Sequence, residues 1–132
     1  MVRSTDWLKQ AEAEFKAAKD LLSTNNFAWC CFTAQQSAEK AIKAILNHFR
    51  SEAFGHNLNT LIQEVEQYVQ VNQAVKGACI QLNRFYIPTR YPDAFPSGVP
   101  AEQYVESDAK QAIQGAEEVI QFARDTIRPA SS

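Results

Sequence analysis

Three groups of residues in this chain have types and spacings that could do chemistry. Arg90, Tyr91 and Asp93 lie in a stretch that holds Pro88, Pro92, Pro96 and Pro100 together with Gly98. A guanidinium in such a loop can grip a phosphate through two parallel hydrogen bonds, and a charge-assisted bond of that kind contributes on the order of 1.5–3 kcal/mol. Arg90 is therefore the first candidate for ligand contact. Its competing role is structural, with Asp93 or a glutamate of another helix pairing with it to pin the loop. Tyr91 can stack on a base or cover the end of a core. His56, next to Gly55, carries the one side-chain type that moves protons near neutral pH, and it either faces a ligand or bonds a backbone carbonyl in its turn. Gln36, Lys40 and Lys43 follow at helical steps and so share one face. Turned toward the proline stretch, they would add donors and positive charge beside Arg90. Glu39 stands four residues before Lys43, the favourable order for a helix ion pair, which by itself accounts for that lysine.

Helices must position these groups. Leu8, Ala11, Phe15, Ala18 and Leu22 recur at steps of three and four and predict one helix, with Ser4, Thr5 and Asp6 placed to cap its start. The polar run Ser23–Asn26 then predicts a short turn. Phe27, Cys31, Ala34, Ala38, Ala41, Ile45 and Phe49 mark the second and longest helix, whose small residues allow close packing. Asn57 is placed to cap a third carrying Leu58, Leu61, Ile62, Val65 and Tyr68. A fourth carries Val71, Val75, Ala78, Leu82 and Phe85, with Gly77 inside it weakening it by roughly 1 kcal/mol against alanine. The prolines exclude a regular helix across their stretch. A last helix, with Val105, Ala109, Ala112, Ala116, Val119, Ala123 and Ile127, is expected to start just after Pro100. The pattern predicts an all-α fold, an antiparallel up-and-down bundle of four long helices plus a shorter or bent fifth. Residues 1–132 read as one domain, with 128–132 a frayed tail. The long proline-rich connection stands out, because irregular loops of that length in compact domains are often functional.

Bulk properties exclude several functions. A net charge of −2 offers no general attraction to a nucleic-acid backbone, so any such contact has to be local. Cys30 and Cys31 are neighbours and only Cys79 remains, so the cysteines show no metal-ligand spacing and read as small core residues. No glutamate has a histidine three residues later, as a carboxylate-bridged di-metal bundle requires, and there is no Walker-type glycine loop. No metal or cofactor is expected. No apolar run reaches the roughly 20 residues that a spanning helix needs, and the polar N-terminus is unlike a secretory signal. The expected location is the cytoplasm. Trp7, Trp29, Phe15, Phe27 and Phe49 are expected in the core and in a dimer seam, and His48 on the surface or at an interface.

The run AQQSAEKAIKAIL in the second helix, GHNLNTL after it, and Arg90-Tyr91-Pro92-Asp93 at the head of the proline stretch together resemble the HEPN domain, the higher eukaryotes and prokaryotes nucleotide-binding family. The resemblance covers the chain from about Trp7 to the last helix. It implies a bundle of four to five helices that usually dimerises. It also implies one of several activities: partnership with a small nucleotidyltransferase in a toxin–antitoxin pair, RNA cleavage, nucleotide binding, or assembly alone. The nuclease members carry an arginine followed four to six residues later by a histidine, which supply a phosphate-stabilising cation and a proton carrier. Here Arg90 and Arg84 have no histidine at that distance. Arg50 and His56 have the spacing but lie between the second and third helices, whereas the family places its pair in the later half. The resemblance therefore implies a non-nuclease module that binds a nucleotide or anion around Arg90, Tyr91, Asp93, Lys40, Lys43, Gln36 and His56. The alternatives are a metal-independent endoribonuclease toxin using Arg90 with His56, and a purely structural dimer.

Overall fold

The structure, a computed structural model, describes residues 3–52, 54–86 and 91–128. It is helical, with no strand among the described residues. The helices are α1 (Ser4–Ser23), α2 (Phe27–His48), α3 (Leu58–Val65), α4 (Gln73–Asn83), α5 (Pro100–Gln103) and α6 (Glu106–Ile127), with a 3₁₀ turn at Pro92–Ala94. The all-α bundle expected from periodicity is what forms. Its length is unevenly shared: α1, α2 and α6 are long, at 20, 22 and 22 residues, while α3 and α4 span 8 and 11. The last helix is also divided. Pro100 heads the four-residue α5, and α6 starts afresh after Val105, whose backbone N–H donates to the Asp108 carboxylate at 2.9 Å. Val105 is thus an exposed cap residue and not the first core position of α6.

The caps explain the other boundaries. Asn57 accepts from the backbone N–H groups of Asn59 and Thr60 and starts α3, as its position in the sequence implied. Asn72 does the same for α4 through Val75. At α1 the expected side-chain caps are absent: Ser4 is already helical and buried, Arg3 precedes the helix, and Arg3 pairs with Asp6 at 3.0 Å.

The core is an alanine-rich seam. Ala11 and Ala18 of α1, Ala34, Ala38 and Ala41 of α2, and Ala109, Ala112, Ala116 and Ala123 of α6 are all essentially inaccessible to solvent. Side chains this small bring helix axes close. Leu8, Ile42, Ile45, Leu58, Leu61, Leu82 and Ile120 fill the remaining space. The same closeness governs α4 against α6, where a Cβ on Gly115 would meet Leu82 at 3.4 Å. α2 lies at the centre and packs against α1, α6, α3 and α4, which leaves little of it in water. The three thiols are buried, as expected of core residues, and burial pushes Cys30 up to about 11 and Cys31 and Cys79 up to about 12. No described helix is long and apolar enough to cross a membrane.

The chain direction after α2 is set by one reversal. α2 ends with Arg50 in the left-handed region, φ 60°, and Ser51 N–H returns to the Leu46 carbonyl at 2.8 Å. The following segment then doubles back along α2, so that His56 lies against Gln35 and Glu39 while Ser51 bonds Glu64 at 3.0 Å. α3 consequently runs in the same sense as α2. α4 returns antiparallel to α3, with Asn83 at its end accepting from the Leu58 N–H at 2.9 Å.

Candidate functional site

α2 buries three polar residues among its alanines: Gln35, Ser37 and Glu39. A polar group so placed must find partners or destabilise the fold by about 1–3 kcal/mol. Ser37 turns back on its own helix, donating to the Ala34 carbonyl at 2.8 Å. The other two face the returning segment. Glu39, 2% exposed, accepts from the Nδ1 of His56 at 2.9 Å and from the Nζ of Lys43 at 3.2 Å. Gln35 donates from Nε2 to the His56 backbone carbonyl at 3.5 Å, and its Oε1 accepts from Gln36 Nε2 at 2.7 Å. Lys40 continues the set, bonding Gln36 at 3.4 Å and Glu14 of α1 at 3.3 Å.

Two bonds from one helix therefore hold His56, one on its backbone and one on its ring. The turn that allows this approach is made by Gly55, at φ 94°. A third contact comes from the end of α4. Tyr86 stacks on the imidazole with ring centroids 5.0 Å apart and planes at 15°. The Asn83 tie to α3 brings Tyr86 there, and Tyr86 in turn meets Phe32 of α2 at 6.2 Å, which meets Trp29 edge-on at 6.1 Å.

The hydrogen-bond chemistry fixes the state of the ring. A carboxylate accepts only, so Nδ1 carries the proton and the basic lone pair of neutral His56 lies on Nε2. The side chain is 52% exposed, so the ring borders solvent while Nδ1 is held by the carboxylate. A buried carboxylate behind a half-exposed imidazole is an arrangement suited to proton transfer or to donation toward an anion.

The structure thus brings together Gln36, Lys40, Lys43 and His56 from the sequence-derived set. It also shows that neither lysine is a bare cation, since Glu14 and Glu39 hold them. The helix pair anticipated between Glu39 and Lys43 is present. Tyr91 is half-exposed at the start of the 3₁₀ turn, and Asp93 lies exposed within it. Arg90 lies outside the described residues. Arg50 serves the end of α2 and makes no ion pair among the described residues, so its spacing to His56 reflects the reversal of the chain. Sequence reasoning missed Gln35 and Tyr86, and it read Glu39 only as a lysine partner. The residues 35 and 39 are one helical turn apart, but nothing in their types signals burial. Among the described residues no three histidines, cysteines, aspartates or glutamates gather as a metal site.

This geometry sits in a recognised fold. The HEPN domain family matches residues 4–126. The chain belongs to the HEPN family. TT1696 from Thermus thermophilus is similar in structure with a TM-score of 0.92 at 36% identity, covering 96% of this chain and 99% of that one. ST0689, an archaeal HEPN homologue, gives a TM-score of 0.82 at 32% identity over 97% of this chain and 100% of its own. In sequence, this HEPN chain is 25% identical to a Methanocaldococcus jannaschii protein named as a putative toxin, over 92% of this chain and 86% of that protein. It is also 28% identical to a segment of human sacsin that spans 86% of this chain but 3% of sacsin.

Proposed function

We propose that this HEPN chain is a binding module for a nucleotide or another phosphate-bearing anion, without nuclease activity, and that it works beside a small nucleotidyltransferase in a toxin–antitoxin-type pair. The observation that carries the reading is the buried Glu39 carboxylate. By holding Lys43 and His56 it presents their remaining polar positions from fixed places: Lys43 has three N–H donors and spends one on Glu39, and His56 gains a second donor when protonated. A phosphate accepts from both without first ordering them, which lowers the entropy of binding that would otherwise oppose it. Arg90 supplies the bidentate fork in this reading. The resemblance to a named toxin supports the pairing, and the half-exposed Trp29 and Ile80 support assembly into homodimers.

The test is a thermal-shift titration with ATP, other nucleotides and short RNA, repeated on His56→Ala and Arg90→Ala. A ligand that binds only the folded chain adds about 2.7 kcal/mol at a hundredfold excess over Kd. The expected result is a rise in Tm with a nucleotide that both variants lose. No shift with any ligand would leave a purely structural dimer, and light scattering that finds only monomer at tens of micromolar would remove that as well.

One observation favours a second reading, a metal-independent endoribonuclease toxin. Nε2 of His56, backed by Glu39, can take the proton of an RNA 2′-hydroxyl as that oxygen attacks the adjacent phosphorus; a 2′,3′-cyclic phosphate forms and the 5′-oxygen leaves, taking a proton from water. RNA cleavage lost in His56→Ala and Arg90→Ala is the expected result; intact RNA after prolonged incubation with concentrated protein would end this reading.

A further inference from the structure

A second surface shares no lining residue with the Glu39–His56 cluster and stands whether or not that cluster holds an anion. α4 and α6 run antiparallel, and two adjoining cavities of about 400 and 390 Å³ lie along the seam between them, sharing Gln114 and Glu118. One reaches Asn72 and Asp125, the other Gln81 and Gln111. At about 1.5 Å per residue, the stretch from Gln111 to Asp125 makes a trough about 20 Å long, roughly four turns of helix. We infer that this trough is a docking surface for a helix of a partner protein, one that brings lysines or arginines to α6 and packs closely on α4.

Charge sets the chemistry of the partner. The lining holds three carboxylates, Glu117, Glu118 and Asp125, with six amide side chains and no lysine or arginine. The chain as a whole is nearly balanced, with 13 bases to 15 acids, so the trough is locally one-sided. The bases of these two helices are engaged elsewhere: Lys76 with Glu66 at 2.8 Å, Lys110 with Glu106 at 3.0 Å and Arg124 with Glu12 at 2.8 Å. Glu117 and Glu118 are exposed, and no ion pair neutralises either among the described residues. Such a surface attracts a basic partner and repels an acidic one. Glu118 and Asp125 stand about two turns apart, so cations seven residues apart on a partner helix meet both.

Gly77 sets how closely the partner packs. It lies exposed within α4, where glycine weakens a helix relative to alanine, and a Cβ built on it would meet nothing within 4 Å. Its φ is not among the positive ones, so neither the backbone nor a neighbour in this chain requires a glycine there. Ala74 and Ala78 flank it, and Gly115 faces it across the seam. Helices come closest where side chains are this small, so the missing Cβ leaves room for a backbone from outside the chain.

The probe is an alanine-rich helical peptide of about 18 residues with lysines seven residues apart, and its control carries glutamates in their place. Each is titrated into the isotope-labelled chain while amide resonances are followed. The lysine peptide is expected to shift Gly77, Gly115 and Glu118 and leave α1 unmoved; the glutamate peptide is expected to shift none of them. Glu117→Lys combined with Glu118→Lys should weaken the lysine peptide about tenfold, and Gly77→Leu, which fills the trough at an exposed position, should do the same. Gly77→Ala should raise the Tm of the free chain. A lysine peptide that leaves α4 and α6 unmoved, or that binds equally well after the charge reversal, would overturn the inference. So would a lower Tm in Gly77→Ala, because the glycine would then serve α4 itself. A dimer of the free chain that Gly77→Leu dissociates in light scattering would make a second copy the occupant and end the basic-partner assignment.

Discussion

Two ion pairs in this chain have the same length and nearly opposite surroundings. Lys16–Asp20 on α1 and Lys43–Glu39 on α2 each span one helical turn, and each closes at 3.2 Å. On α1 the side chains are 78% and 69% exposed; on α2 they are 19% and 2% exposed. Water and salt screen the first pair almost completely. The second pair has little water to fall back on, so its carboxylate requires every partner it has, including His56. The order of the acid and base along the helix also favours the α2 pair. The difference shows that the residue types at the site are ordinary and that burial of one acceptor makes them a site.

The largest expected effect sets the scale for that comparison. Ile45, fully buried on α2 beyond Glu39, loses its contacts in Ile45→Ala and leaves a cavity, destabilising by about 2–5 kcal/mol in urea unfolding. Next is Glu39→Gln, which keeps the volume but removes the anion that holds Lys43 and His56; the expected loss is about 1–3 kcal/mol. The readout that separates this from a general loss of stability is amide exchange, which should accelerate at Asn57–Leu58 more than within α1. A neutral Glu39→Gln would break the comparison, because the buried pair would then behave like the exposed one.

The thiols sharpen the comparison from the other side, as buried ionisable groups that burial keeps neutral. With Cys30 held up to about 11 and Cys31 and Cys79 up to about 12, only the unfolded chain releases thiol protons above its ordinary value of about 8.5. The unfolded state therefore binds fewer protons over that window, and stability is complete below about pH 8.5 and falls as pH rises toward the folded values. Each thiol contributes about 1.4 kcal/mol per pH unit. Urea midpoints at about pH 8 and pH 10 measure this, and Cys79→Ala should flatten the decline.

The apolar steps in the sequence located the core because they report one stripe per helix. Leu8, Ala11, Phe15 and Ala18, and likewise Cys31, Ala34, Ala38, Ala41 and Ile45, are all buried. What periodicity could not report is that α2 is enclosed on further sides, where Gln35 and Glu39 sit. Polar residues off the apolar stripe read as solvent-facing, and only the chain reversal after Arg50 covers them. The Glu39–His56 contact spans 17 residues and depends on Gly55 and on the return of that segment, so no local spacing encodes it. Lys43 and His56 were legible as candidates from their types alone. The uneven helix lengths were less so, because apolar steps run on through Tyr68 and Val71 whether or not the backbone between them stays helical.

The smallest expected effect completes the comparison. Asp20→Asn removes the carboxylate of the exposed pair and should change stability by only about 0.2–0.5 kcal/mol, since each partner regains water and side-chain freedom. That shift should vanish in about 1 M salt, where the screening length is about 3 Å. The Glu39→Gln loss should survive the same salt, because counterions cannot approach a carboxylate that is 2% exposed. The two variants measured side by side at low and high salt thus compare equal distances in unequal surroundings. A loss at Glu39 that fades with salt as the Asp20 shift does would mean that water reaches the carboxylate, and that His56 is held by less than the structure gives it.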